Sequence, residues 1–245
     1  MALTTNELFS RIKPSQIREF DELFRSVEGC IPMTIGEPDF DMPENVKRAA
    51  IKAIEDNASH YAHTSGEIGV RKAVSEFLEK QYNLHYDPET EIVMTVGATE
   101  GLFAAAFGLL NPGDQVIIPS PYFPLYSYVV ELNRGECILV DTSDTGFLMT
   151  PELLHKTMAE NKNVKAIFLN YPSNPTGSTY TKDELIALAD AIKQYDIFVL
   201  SDEIYSEITY GEKHTSIATL LRDRTILFQG ASKAFAMTGW RVGVL

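Results

Sequence analysis

Cysteine is scarce in this sequence: only Cys30 and Cys137 occur among 245 residues, far apart and with no CxxC partner. That argues against a disulfide framework and for two ordinary thiols in a reducing compartment. Positive charge is also in deficit. Twenty-one Lys and Arg stand against 34 Asp and Glu, a formal net charge of −13. A surface that acidic repels phosphate backbones, so no nucleic-acid partner is expected, while a local cationic pocket for a small anion stays open. Long apolar runs are missing too. The longest, Gly101 to Leu110, is too short to cross a bilayer. The opening MALTTNELFSRIK has no apolar core of a signal peptide. The expectation is a cytoplasmic protein without a membrane partner, and no internal repeat or low-complexity tract complicates it.

What is present is 44% apolar residues in a chain long enough for one large domain or a domain and a half. Residues 1–40 read as an arm with one helix, Gln16 to Val27, followed by the turn-rich IPMTIGEPDFDMP. Asp41-Met42-Pro43 reads as a helix start, after which Val46, Ala50, Ala53 and Ile54 recur at helical spacing. Six short apolar runs then read as strands: 92–96, 115–119, 137–140, 165–170, 197–200 and 225–229. They are continuously apolar rather than alternating, as strands buried on both faces are. Helical stretches such as Lys182 to Tyr195 lie between them. Strand-helix alternation of this kind predicts an α/β fold, a mainly parallel sheet with helices on both sides, and ligands bound at the carboxyl ends of its strands.

Four of those ends carry unusual residues. Gly97-Ala98-Thr99-Glu100 follows the first run and opens an apolar helix, whose free N–H groups suit a phosphate or simply make a tight turn. Tyr171-Pro172-Ser173-Asn174-Pro175-Thr176-Gly177 fixes an irregular loop around Asn174. Ser201-Asp202-Glu203-Ile204-Tyr205 sets two carboxylates beside a buried strand end, where Asp202 either caps a helix or holds a cation. Gly230-Ala231-Ser232-Lys233 places a lysine at the edge of the sheet, with Arg241 eight residues on. Together these describe the needs of pyridoxal 5'-phosphate: an amine for its aldehyde, a carboxylate for its ring nitrogen, a donor for its phenolic oxygen and a cup for its phosphate.

GEPDF (36–40), SHYAHTSGEIGVRKAV (59–74), TVGATEGLF (95–103), YPSNPTG (171–177), SDEIYSEITY (201–210) and ASKAFAMTGWRVG (231–243) resemble, in order and in spacing, the class I and II aminotransferases of fold type I. Within that family the chain looks most like the bacterial aminotransferase A group, which acts on aromatic amino acids or N-acetyl-LL-diaminopimelate. The resemblance implies an α/β, three-layer large domain over residues 41–245, and an arm at 1–40 that also contributes to a small domain. It implies that Lys233 is the Schiff-base lysine and moves the substrate's α-proton. Asp202 pairs with the protonated ring nitrogen, and Tyr205 and Asn174 hydrogen-bond the phenolic oxygen. Ala98 and Thr99 offer backbone donors to the phosphate, joined by the side chains of Ser232 and Arg241. Phe123 stacks on the ring, with Tyr122 as a substitute. Tyr61 reaches the phosphate of a partner subunit, which implies a homodimer. Gly36 and Asn174 approach the substrate. One departure is Gly230, where many relatives carry a serine three residues before the lysine; one phosphate contact is then lost or passes to the backbone.

A carboxylate at the ring nitrogen raises that nitrogen's pKa by roughly 1–3 units, so the ring stays a cation able to absorb the charge left by proton removal. The implied reaction is a ping-pong exchange of an amino group between an L-amino acid and a 2-oxo acid. No metal is expected. A C–S β-lyase on the same cofactor residues is the enzymatic alternative, and a non-catalytic fragment the other. The chain ends at Val242-Gly243-Val244-Leu245, inside an apolar run. It therefore reads as lacking the family's C-terminal small domain, with a last strand left as an open, unpaired edge and little turnover of its own.

Overall fold

The computed structural model describes residues 3–11 and 16–245, and of Ser10, Arg11 and Gln16 the main chain only. Residues 1, 2 and 12–15, part of the expected arm, lie outside the described residues. The chain divides into two compact units, Met1–Asp41 and Met42–Leu245.

In the first unit a 3-10 turn, Glu7–Arg11, precedes helix α1, Gln16–Arg25, two residues shorter than the expected Gln16 to Val27. Asp21 organises it. Its carboxylate accepts from Arg25 Nε at 2.8 Å, one turn along the helix, and from Thr34 Oγ1 at 2.6 Å. The Arg25 contact, then that of Thr34, holds the Asp21 carboxyl below its usual range. Phe20 and Phe24 stack at 5.9 Å, and Phe20, Leu23 and Val27 stay exposed.

The second unit alternates helix and strand. Helices α2 (Glu44–Glu55) and α3 (Ile68–Tyr82) lead to β1 (Met94–Val96), α4 (Gly97–Leu109), β2 (Gln115–Ser120), α5 (Leu125–Leu132) and β3 (Glu136–Asp141). Then come α6 (Pro151–Glu160), β4 (Val164–Asn170), α7 (Lys182–Ile192), β5 (Phe198–Asp202), β6 (Thr225–Gly230), the short α8 (Ala231–Ala234) and β7 (Val242–Val244). Local chemistry sets several ends. Pro43 stands immediately before α2, Asn83 closes α3 in the left-handed conformation, and Thr181 with Glu184 forms a capping box on α7. All six predicted runs are strands within a few residues. The periodic face of α2, by contrast, buries nothing; Ile51 and Ile54 are exposed.

The seven strands form one sheet in the order β1-β7-β6-β5-β4-β2-β3. Strands β2 to β6 pair parallel, and β7 pairs antiparallel with both β6 and β1. The last strand is thus no open edge. Gln229 and Gly230 pair it on one side and Met94 to Val96 on the other, and Val244 is buried. The run looks like an edge in sequence because its two partners come from 90–100 and from about a dozen residues upstream, which no local pattern records. Two apolar layers flank the sheet. Leu154, Leu185, Leu188 and Ile192 pack on one face with Ile117, Ile167 and Val199. Leu102, Ala106, Tyr126 and Val130 pack on the other with Ile118, Phe168, Leu200 and Phe228. Successive strand residues alternate between these layers, so the middle of β4 and the start of β5 are apolar on both faces.

Gly243 is where β7 meets the start of α4: a Cβ there would lie 2.5 Å from the Ala98 amide nitrogen. Gly243→Ala should cost roughly 1–3 kcal/mol by forcing these backbones apart. Urea denaturation with an unchanged midpoint would contradict this packing.

Candidate active site

The parallel register brings the predicted strand ends together. Asn170 at the end of β4 pairs with Asp202 at the end of β5, and Asp202 with Phe228 near the end of β6. Two antiparallel steps through β7 make β1 run in the same direction as β6, so α4 starts at that same edge.

Asp202 sits at the centre, 4% exposed. Its Oδ2 accepts from Tyr126 Oη at 2.8 Å and its Oδ1 from the Ile204 amide at 3.2 Å. Burial raises its pKa to about 6; the Tyr126 hydroxyl and the Ile204 amide pull the other way without cancelling that cost. Burial also pushes the Tyr126 phenol well above its ordinary value, so it stays protonated and donates. Tyr126 is stacked on Phe168, ring centroids 4.7 Å apart, which fixes the direction of its hydroxyl.

Asn170 clamps two loops at once. Its Nδ2 donates to the Asp202 carbonyl at 2.8 Å, and its Oδ1 accepts from the Asn174 amide at 2.7 Å. The peptide bonds before Pro172 and Pro175 are cis, and Gly177 has φ 72°. With its amide tied to Asn170, Asn174 places its Nδ2 3.4 Å from Tyr205 Oη. The Tyr205 phenol is raised, first by burial and then by the nearby Asp202 charge. Lys233 Nζ stands 5.7 Å from the centre of the Tyr205 ring. Asn174, Asp202, Tyr205 and Lys233 therefore form one group.

A second group surrounds the start of α4. Gly97, with φ 71°, donates its N–H to the Arg241 carbonyl at 2.8 Å, and a Cβ on Gly97 would lie 2.9 Å from the centre of the Arg241 guanidinium. The guanidinium thus rests against the first turn of the helix, where the Ala98 and Thr99 amides have no intrahelical acceptor. Its Nη1 donates to the Thr238 carbonyl at 2.9 Å. Arg241 and Ala236 both hold positive φ, 55° and 52°. Left-handed backbone at non-glycine residues costs energy and collects at functional sites. Ser232 is buried in α8, next to Lys233 in sequence. Gly230 has a steric reason to lack a side chain: a Cβ there would come within 2.9 Å of the Val242 carbonyl and 3.0 Å of Ile204 Cδ1.

Phe123, Tyr61 and Gly36 are the other predicted residues. Phe123 packs edge-on against Tyr126 at 5.8 Å, while Tyr122 lines a narrow cavity with Tyr126, Asn170 and Asn174. Tyr61, between α2 and α3, is fully exposed. Gly36 belongs to the first unit. Two residues that sequence reasoning passed over are central: Tyr126, three positions beyond the expected ring-stacking aromatic, and Asn170, the last residue of its strand. Among the described residues no cluster of His, Cys, Asp or Glu is arranged for a metal, and no helix is long and apolar enough to cross a membrane.

A family model described as aminotransferase class I and II matches residues 28–245. The chain is 44% identical over 234 residues to a probable N-acetyl-LL-diaminopimelate aminotransferase of Bacillus subtilis, covering 96% of this chain and 59% of that protein. It is 37% identical over 247 residues to aromatic-amino-acid aminotransferase 2 of Thermococcus litoralis, covering 99% and 63%. The solved structure of the Thermus thermophilus aspartate aminotransferase with maleate superposes with a TM-score of 0.93 at 36% identity, over 99% of this chain and 64% of that one. The chain spans about three fifths of the length of these relatives. With the fold, the edge-of-sheet site and these matches in agreement, the chain belongs to the class I and II aminotransferase family.

Proposed function

We propose that this chain is the pyridoxal-phosphate-binding part of an aminotransferase that moves an amino group between an L-amino acid and a 2-oxo acid. The observation that carries the reading is Asp202: a buried carboxylate with two neutral donors, set beside Asn174, Tyr205 and Lys233. A buried acid whose pKa is raised to about 6 gains most from a cation placed against it. A protonated pyridine nitrogen is such a cation. The Arg241 guanidinium at the head of α4 is the matching feature for a phosphate, since arginine holds such a group in two-pronged fashion. The residues present therefore fit the cofactor.

When bound, pyridoxal phosphate supplies an electron sink that stabilises the charge left on an amino acid's α-carbon. The chain supplies the rest. Lys233 is the covalent attachment point and the base that takes the α-proton at Nζ and returns it. Asp202 keeps the ring nitrogen protonated, and Tyr126 and the Ile204 amide hold that carboxylate in line. Tyr205 and Asn174 hold the phenolic oxygen; Ala98, Thr99, Ser232 and Arg241 hold the phosphate. Phe123, packed against Tyr126, would be the aromatic to hold the ring, and Asn174 would face the substrate; Gly36 is assigned to the substrate on the resemblance alone. Tyr61, exposed on its own chain, is assigned to the phosphate of a second copy in a homodimer. The substrate is assigned as an aromatic amino acid or N-acetyl-LL-diaminopimelate, supported by the names of the two relatives above, with a cytoplasmic location. Because the relatives are longer, turnover is proposed for a protein of their full length, and the 245-residue chain alone is proposed to show little.

Two outcomes test this. The purified protein should bind pyridoxal phosphate with the absorbance band of a lysine adduct, and Lys233→Ala should abolish the band while leaving the fold intact by circular dichroism; a band that survives the substitution removes the reading. The second concerns pH. The Asp202 carboxyl takes up its proton at about 6 in the folded chain and at 3.8 otherwise, so between those values the folded state binds more protons and the cofactor-free protein loses stability as pH rises. Asp202→Asn should therefore make the cofactor-free protein more stable at neutral pH, by up to about 3 kcal/mol, with the difference gone below about pH 4. It should also weaken cofactor binding. Denaturation curves across that range that are parallel for both proteins would contradict the assignment.

A further inference from the structure

Glu203, the neighbour of Asp202, is fully buried and has no part in the chemistry proposed above. Strand alternation turns it to the opposite side of the sheet. There it is saturated. Oε1 accepts from Ser201 Oγ at 2.8 Å, Ser216 Oγ at 2.9 Å and Tyr171 Oη at 3.2 Å, and Oε2 lies 2.7 Å from His214 Nε2. The His214 ring is held edge-on by Tyr82 at 5.7 Å and against Tyr171 at 5.1 Å. Tyr171 Oη accepts in turn from the Ile217 amide at 2.7 Å, and the Ser206 amide donates to the Glu203 carbonyl at 3.0 Å. A single carboxylate thereby ties together three pieces of chain. One is the loop start at Tyr171, three residues before Asn174. The second is the end of β5, with Asp202. The third is the 206–217 strap that closes the turn carrying Tyr205.

A core position needs none of this. An apolar residue would fill the space without desolvating an acid and a histidine. The three pieces have one thing in common: each carries, or directly adjoins, a group of the candidate active site, Asn174, Asp202 or Tyr205.

We propose that Glu203 and His214 form a positioning cluster which sets the relative placement of Asn174, Asp202 and Tyr205 for the ring of a bound pyridoxal phosphate, and does not affect the phosphate cup at α4. This rests on the cofactor reading above. Because the cup is built from other elements, the cluster acts on one part of the ligand only, and this selectivity separates positioning from plain stability.

The test compares Glu203→Gln, which keeps the shape and loses the charge, with Leu154→Ala in α6, a buried apolar truncation in a helix that holds no site residue. Affinity is measured for pyridoxal phosphate by its absorbance and for inorganic phosphate by thermal-shift titration. Glu203→Gln should weaken pyridoxal phosphate binding by roughly tenfold or more, with inorganic phosphate affinity unchanged. Leu154→Ala should lower thermal stability and leave both affinities unchanged. Should Glu203→Gln not fold, Ser216→Ala, which removes one of the four partners, should give a smaller shift of the same kind. The proposal is overturned if either cluster variant binds pyridoxal phosphate normally, if both ligands weaken together, or if Leu154→Ala reproduces the effect. If the unsubstituted protein does not bind pyridoxal phosphate at all, the reading of the site fails, and this inference with it.

Discussion

A carboxylate moved from water to the end of a central strand is the constraint around which this site is arranged. Desolvation opposes its charge, and the opposition is visible in the raised pKa of Asp202. The chain answers with two donors fixed from opposite directions. The Ile204 amide comes from the turn that follows. Tyr126 comes from a helix on the far side of β4, and its ring is locked by stacking on Phe168. Neither donor is charged. The acid is thus held in place but left electrostatically incomplete, the condition in which an added cation is most strongly attracted.

Glu203 shows what completion looks like. It differs from Asp202 by one position and one methylene, and it is as deeply buried, yet it has three hydroxyl donors and a histidine. Two acids at one strand end, one saturated and one not, divide the labour between holding the chain and holding a ligand. Burial does not distinguish them; the count and type of their partners does.

Much of this was legible in the sequence. Strands buried on both faces read as apolar runs, and the six predicted ones form; motif spacing then located Asn174, Asp202, Tyr205, Lys233 and Arg241 at one edge. What escaped were facts with no local pattern. Tyr126 and Asp202 are 76 residues apart, and Asn170 and Asp202 are 32 apart, so neither contact leaves a periodic trace. The final strand looked like an open edge because its partner β1 lies far upstream, and only tertiary pairing places it inside the sheet. Helical spacing located α2, yet the helix buries none of its residues, since periodicity reports that a helix has an apolar face and not what covers it.

The site carries costs that its own residues do not repay. Arg241 and Ala236 hold left-handed backbone, Asp202 lacks a cation, and Gly97 and Gly243 give up side chains so that β7 can approach the head of α4. The offset comes from elsewhere in the sheet. Leu154, Leu185, Leu188 and Ile192, in the layer over β2, β4 and β5, are at most 1% exposed, and each such side chain contributes roughly 1.5–3 kcal/mol. Stability is thus concentrated in the helical layer and in strands paired in parallel, while Ala236, Arg241 and the close approach of Gly243 to α4 lie beyond that layer. Such a division is what allows four strand ends to present polar groups to a ligand without loosening the frame that aims them. In the 230–243 segment the chain reverses direction into β7: the reversal brings the Arg241 guanidinium against α4, and a continuous parallel strand would carry it away.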